Sequence, residues 1–75
     1  MTILNLSNNK YKVIKVSGEG ITRRRLLEMG FVPGTVYTIL RVAPFGDPVE
    51  IELRGYLISL RKEDMKLIES ERINQ

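Results

Sequence analysis

From Val49 to Arg54 apolar and charged residues alternate without a break, with Val49, Ile51 and Leu53 on one parity and Glu50, Glu52 and Arg54 on the other. Only an extended strand sends alternate side chains to opposite faces, so this run has one dry face and one wet face. Gly55-Tyr56 follows at once and reads as a tight, glycine-first turn into Leu57–Leu60, which makes a hairpin. A hairpin alone is marginal in water and needs further strands over a shared core. The chain has 75 residues in which to supply them.

The remaining signals are mostly β. Tyr11–Ser17 reads as a first strand, closed by Gly18 and Gly20, and Thr35–Ala43 as a long second one. Pro33-Gly34 suits the centre of a type II turn, proline fixing a negative φ and glycine supplying the positive one. Ala43-Pro44-Phe45-Gly46-Asp47-Pro48 makes a loop, Arg61–Asp64 a single helical turn, and Met65–Glu69 a last strand. Ile3, Leu4 and Leu6 are enough to dock the leading segment Met1–Asn9 on the core. The expected architecture is one domain over 1–75, mostly β with one short α-helix, forming a small SH3-like barrel of about five strands. Its core covers about 11–69, and 70–75 are expected to form a polar tail. An OB-type barrel would place its helix between the third and fourth strands, where none is readable.

The one clear helix follows Gly20. Thr22 is a candidate N-cap, and Gly30 with apolar Phe31 behind it is a C-terminal stop. Arg23, Arg24 and Arg25 would then fall in the first turn, where each cation opposes the helix dipole by about 0.3–1 kcal/mol. A helical wheel puts Leu26, Leu27 and Met29 on the buried face and Arg24, Arg25 and Glu28 opposite. Arg23 lies beside Leu27, so its stem should pack and its guanidinium reach a carboxylate or carbonyl at the rim.

Chemistry finds few residues to work with. The chain has no Cys and no His, which removes thiolate and imidazole ligands and leaves serines without a base. Glu50 with Glu52 and Glu63 with Asp64 read as solvated faces, so no enzymatic activity, no cofactor and no metal site are expected. Gly18-Glu19-Gly20 lacks the Gly-Lys-Ser/Thr of a phosphate loop. No apolar run approaches the roughly 18 residues of a membrane helix, so a cytoplasmic chain without membrane insertion is expected. The net charge of +3 divides unevenly: residues 1–34 carry +4 and residues 35–75 carry −1. That bias suits nucleic acid, an anionic membrane surface or an acidic protein. Lys10, Lys12, Lys15 and the arginines with Tyr11 could serve a single strand of nucleic acid, but only 7% of residues are aromatic, and Glu28 interrupts the helix cations. A protein partner is the better expectation, with weak self-association as a further possibility at exposed strand edges. Phe45 between two prolines either presents itself to such a partner or closes one end of the barrel.

Arg-Arg-Arg-Leu-Leu-Glu-Met-Gly-Phe-Val-Pro-Gly-Thr over Arg23–Thr35, Ala-Pro-Phe-Gly-Asp-Pro over Ala43–Pro48, Arg-Gly-Tyr over Arg54–Tyr56, Ser-Leu-Arg over Ser59–Arg61, and Ile68 together resemble the FeoA family. The resemblance runs from about Tyr11 to Glu69, and it departs at Asn8-Asn9, where a Pro-Gly or Lys-Gly pair is usual. It implies an SH3-like barrel in a bacterial or archaeal cytoplasm that modulates FeoB, a membrane ferrous-iron transporter with a GTPase domain. Similar domains end iron-dependent transcriptional repressors, which is the alternative, along with a small nucleic-acid-binding barrel. Such domains are often labelled transition-metal binding, a label for which this sequence offers no ligands. On this reading Arg24, Arg25, Glu28, Phe45, Gly46 and Asp47 contact the partner, while Gly30, Pro33, Gly34 and Gly55 shape turns and Arg23 ties the rim.

Overall fold

The computed structural model describes residues 9–73; the leading segment singled out above lies outside them except for Asn9. Seven elements follow one another: β1 (Lys10–Val16), α1 (Gly20–Met29), β2 (Val36–Val42), β3 (Val49–Leu53), β4 (Tyr56–Leu60), α2 (Lys62–Met65) and β5 (Ile68–Arg72). The five strands form one antiparallel sheet in the order β4-β3-β2-β1-β5. The first four strands therefore meander, and β5 returns to pair with β1 on the far side.

The core follows from the alternation. Val49, Ile51 and Leu53 are buried while Glu50 and Glu52 face outward, and Val13, Val16, Tyr37, Leu60 and Ile68 join them from the other strands. Leu26 of α1 and Phe31 after it complete the cluster. Burying each such side chain stabilises the fold by about 1.5–3 kcal/mol. Tyr37 sits at the centre of an aromatic group, stacked on Tyr11 with ring centroids 5.6 Å apart and meeting Phe31 edge-on, also at 5.6 Å. Its hydroxyl shares a 2.7 Å hydrogen bond with Ser70 Oγ, so the one polar atom it brings into the core region has a partner.

Three expectations are corrected. The hairpin turn is Arg54-Gly55, not Gly55-Tyr56: Tyr56 pairs with Leu53, and the two turn residues have φ of 54° and 85°. Positive φ at both positions is the type I′ geometry whose twist matches the strands. A turn one residue later would set Arg54 opposite Leu57 and leave Val49 without its partner Leu60, both of them buried. The second correction concerns 70–72, which continue β5 instead of starting a tail, because Ser70 is held by Tyr37 and Tyr11 pairs with Arg72. The third is the start of α1. Thr22 is its third residue, and no side chain caps the helix. Gly20, at φ 76°, lets the chain swing from extended Glu19 into the helix three residues early. Arg23–Arg25 consequently occupy the fourth to sixth positions, past the turn where the dipole penalty is concentrated.

Candidate functional site

Two surface features carry the residues singled out for a partner. The first is the outer face of α1. Ile21, Arg24, Arg25 and Glu28 stand at i, i+3, i+4 and i+7, which places them along one stripe, and all four are exposed. Among the described residues no ion pair neutralises the two arginines or Glu28. Arg23 behaves differently: its Nε donates to Val16 O at 3.1 Å, fastening α1 to the end of β1.

The far end of that helix is fixed by backbone chemistry. Gly30 N–H donates to Leu27 O at 3.0 Å and Phe31 N–H to Leu26 O at 3.1 Å, the two bonds of a Schellman motif. Gly30 has φ 120°, and a Cβ there would lie 3.3 Å from both Leu53 Cδ2 and Arg54 Cδ. The Arg54 stem therefore lies across the carboxyl end of α1, where a cation is favourable. Pro33-Gly34 follows as a turn closed by Thr35 N–H to Val32 O at 3.0 Å, and Gly34 N–H donates to Val13 O at 2.8 Å. These bonds set the helix firmly on β1 and leave its outer stripe facing water.

The second feature is the loop between β2 and β3. Gly46 N–H donates to Ala43 O at 2.7 Å, which folds Pro44 and Phe45 into a turn. Asp47 Oδ1 accepts from Lys62 N–H at 2.9 Å, so the loop supplies α2 with the cap that its own flanking Arg61 does not. Phe45 is 94% exposed at the tip. It does not close the barrel.

Helix stripe and loop tip belong to separate elements, and no hydrogen bond or ion pair between described residues joins them. Besides Phe45, the most exposed apolar side chains among the described residues are three for which no surface role is expected from the sequence. Ile21 is 75% exposed at the head of the α1 stripe, a position that its spacing from Glu28 would have revealed. Tyr56 and Leu57 on β4 are also largely exposed, and Leu57 borders a shallow depression of about 180 Å³ with Leu40, Glu50, Ile58 and Ser59.

A resident metal does not fit the donor set. Among the described residues no three carboxylates come together to hold one, and the chain has neither Cys nor His. No helix among those residues is long and apolar enough to cross a membrane.

Comparison with known proteins gives a consistent picture. The FeoA domain family matches residues 4–72. A fusion of Fe(2+) transport protein A with the Fe(2+) transporter FeoB, from Porphyromonas gingivalis, is 45% identical over 62 residues, covering 83% of this chain. The matched part is 7% of that fusion protein's length. The solution structure of a FeoA-like protein from Clostridium acetobutylicum superposes with a TM-score of 0.81 at 43% identity, covering 91% of this chain and 79% of that one. A zinc-complexed FeoA from Stenotrophomonas maltophilia, described as a prokaryotic SH3 domain protein, superposes with a TM-score of 0.71 at 25% identity, covering 95% and 89%. The five-stranded sheet is thus SH3-like, and the chain belongs to the FeoA family of ferrous iron transport.

Proposed function

We propose that this domain is a non-enzymatic, cytosolic accessory of ferrous iron uptake that docks on a FeoB-type transporter and biases its GTPase or gate. The observation that carries the reading is the Porphyromonas gingivalis fusion, in which a 45% identical segment shares one polypeptide with FeoB. Two partners that need each other at high effective concentration gain from such a tether. The exposed Phe45 supports the reading as a rigid apolar anchor, and Arg24, Arg25 and Glu28 as a patterned rim.

The mechanism needs no bound iron on this chain. An accessory shifts an equilibrium only by binding one state better than another, so the domain must prefer one nucleotide or gate state of the transporter. Retention of the domain on FeoB cytosolic domains, loaded with GDP or with a GTP analogue, tests this directly. Unequal retention in the two states is expected; equal retention, or none, refutes the modulatory role. Charge reversal at Arg24 and Arg25 should slow association and flatten or invert its response to salt, because the attraction that salt screens is gone. If docking and iron uptake are both unchanged by it, the helix stripe is not the contact.

A further inference from the structure

The two edges of the sheet are β4 and β5, and they are built in opposite ways. β5, Ile68-Glu69-Ser70-Glu71-Arg72, carries Glu69, Glu71 and Arg72, and its pairing with β1 is broken between Val13 and Lys15. Charges and bulges are the means by which natural sheets keep an edge from recruiting another strand. β4, Tyr56-Leu57-Ile58-Ser59-Leu60, has no charge, no proline and an unbroken register with β3 from Val49–Leu60 to Leu53–Tyr56.

The edge is also chemically ready. In an antiparallel hairpin with a two-residue turn, the residues flanking the turn exchange both hydrogen bonds, and the pattern repeats at every second residue. Tyr56, Ile58 and Leu60 therefore direct their peptide groups to β3, while Leu57 and Ser59 direct theirs outward. Leu57 is 79% exposed and Tyr56 72%, so the side chains beside those peptide groups are open as well.

Charge identifies the occupant. Arg54 precedes β4 and Arg61 follows it; both are exposed, the Arg61 side chain makes no ion pair or hydrogen bond with another described residue, and that of Arg54, whose stem crosses the carboxyl end of α1 beside Gly30, makes none either. A second copy of this chain, paired antiparallel about Ile58, would set Arg54 against the copy's Lys62 at both ends, cation on cation. A five-residue strand also falls short of the roughly 800 Å² per partner that stable dimers bury. Glu52, opposite Leu57 on the outer face, disfavours an acid at the centre of the occupant. Together these features describe a ligand that is neutral and apolar in the middle and acidic at its ends.

We propose that the outer edge of β4 binds an extended segment of a protein partner by strand addition, with apolar residues at alternate positions between Leu57 and Ser59 and carboxylates at its ends for Arg54 and Arg61. Main-chain bonds give such a site its affinity and the flanking charges its selectivity. The proposal does not depend on the FeoB reading and stands or falls on a different surface.

The test is an amide-resolved NMR titration of the full chain with an acetylated, amidated octapeptide of alternating valine and threonine closed by aspartate at both ends. A second peptide replaces the aspartates with lysines. With the acidic peptide the Leu57 and Ser59 amides should shift and exchange more slowly, at an affinity of about 0.1–1 mM. The lysine-ended peptide should bind about tenfold more weakly. Leu57→Lys, which charges the edge without touching the β3 ladder, should abolish binding, and Arg54→Ala with Arg61→Ala should weaken it about fivefold. Equal binding of the two peptides overturns the proposal. So do shifts centred on α1 or the Phe45 loop, or β4 shifts that follow protein concentration without peptide, the mark of a second copy.

Discussion

The chain has two phenylalanines, each next to a glycine at positive φ, and they end in opposite places. Phe31 follows Gly30 and is completely buried, whereas Phe45 precedes Gly46 and is 94% exposed. The difference lies in what the turn returns to. After Gly30 the Phe31 N–H bonds back to Leu26 O and the ring meets Tyr37 edge-on, so it lands in the core. Around Gly46 the chain reverses between β2 and β3 against only the start of α2, where Lys62 lies beside Gly46 and Asp47, so the ring at the tip stays uncovered, and prolines at 44 and 48 stiffen the loop. A local recipe for a turn says where the backbone bends; the elements on either side decide whether the side chain is covered.

The contrast can be broken by mutation. Phe31→Ala should cost about 3–5 kcal/mol, enough to unfold much of a domain this small, and chemical denaturation measures it. Gly30→Ala should cost about 1–3 kcal/mol, because the added Cβ must hold φ 120° and displace Leu53 or Arg54, each 3.3 Å away. Tyr37→Phe should cost about 1 kcal/mol through the lost bond to Ser70. That variant also has a pH signature. Burial raises the Tyr37 hydroxyl above 10.0, the bond to Ser70 opposes the rise, and Tyr11 adds to it. The unfolded tyrosine ionises first, so the folded state holds more protons above pH 10.0 and loses stability as pH climbs. Tyr37→Phe should remove that part of the alkaline decline, leaving stability below the unfolded pKa offset by a constant amount. Phe45→Ala should change stability least, by less than about 0.5 kcal/mol, while weakening capture by FeoB cytosolic domains. A large stability loss there would show that the ring is structural after all.

What could be read from the sequence was whatever is local. The parity of Val49, Ile51 and Leu53, the stop at Gly30-Phe31 and the bend at Pro33-Gly34 each depend on a few adjacent residues, and the structure places them where those residues indicate. The start of α1 was misread because Thr22 offers a side-chain cap, and the helix uses the freedom of Gly20 instead. The hairpin turn was misread because Gly55 looks sufficient alone, whereas the register of two buried strands makes Arg54 share the left-handed bend. The same holds for the surface. Helical spacing exposes Arg24, Arg25 and Glu28, but the openness of β4 follows from sheet order, which no window of residues encodes. Nor does any local pattern announce that Ser70 lies under the hydroxyl of Tyr37, 33 positions earlier.

The bond from Lys62 N–H to Asp47 makes the four-residue α2 and the Phe45 loop a single cooperative unit, although 15 positions separate its two ends. Fraying of that helical turn removes the donor that positions Asp47, and loosening of the loop removes the acceptor that starts the turn. Amide exchange at Gly46 and Lys62 should therefore report one common opening free energy, and Asp47→Ala should lower both together. The posture of the aromatic tip is thus set across the open end of the β3–β4 hairpin, by whatever holds or releases a helix of one turn.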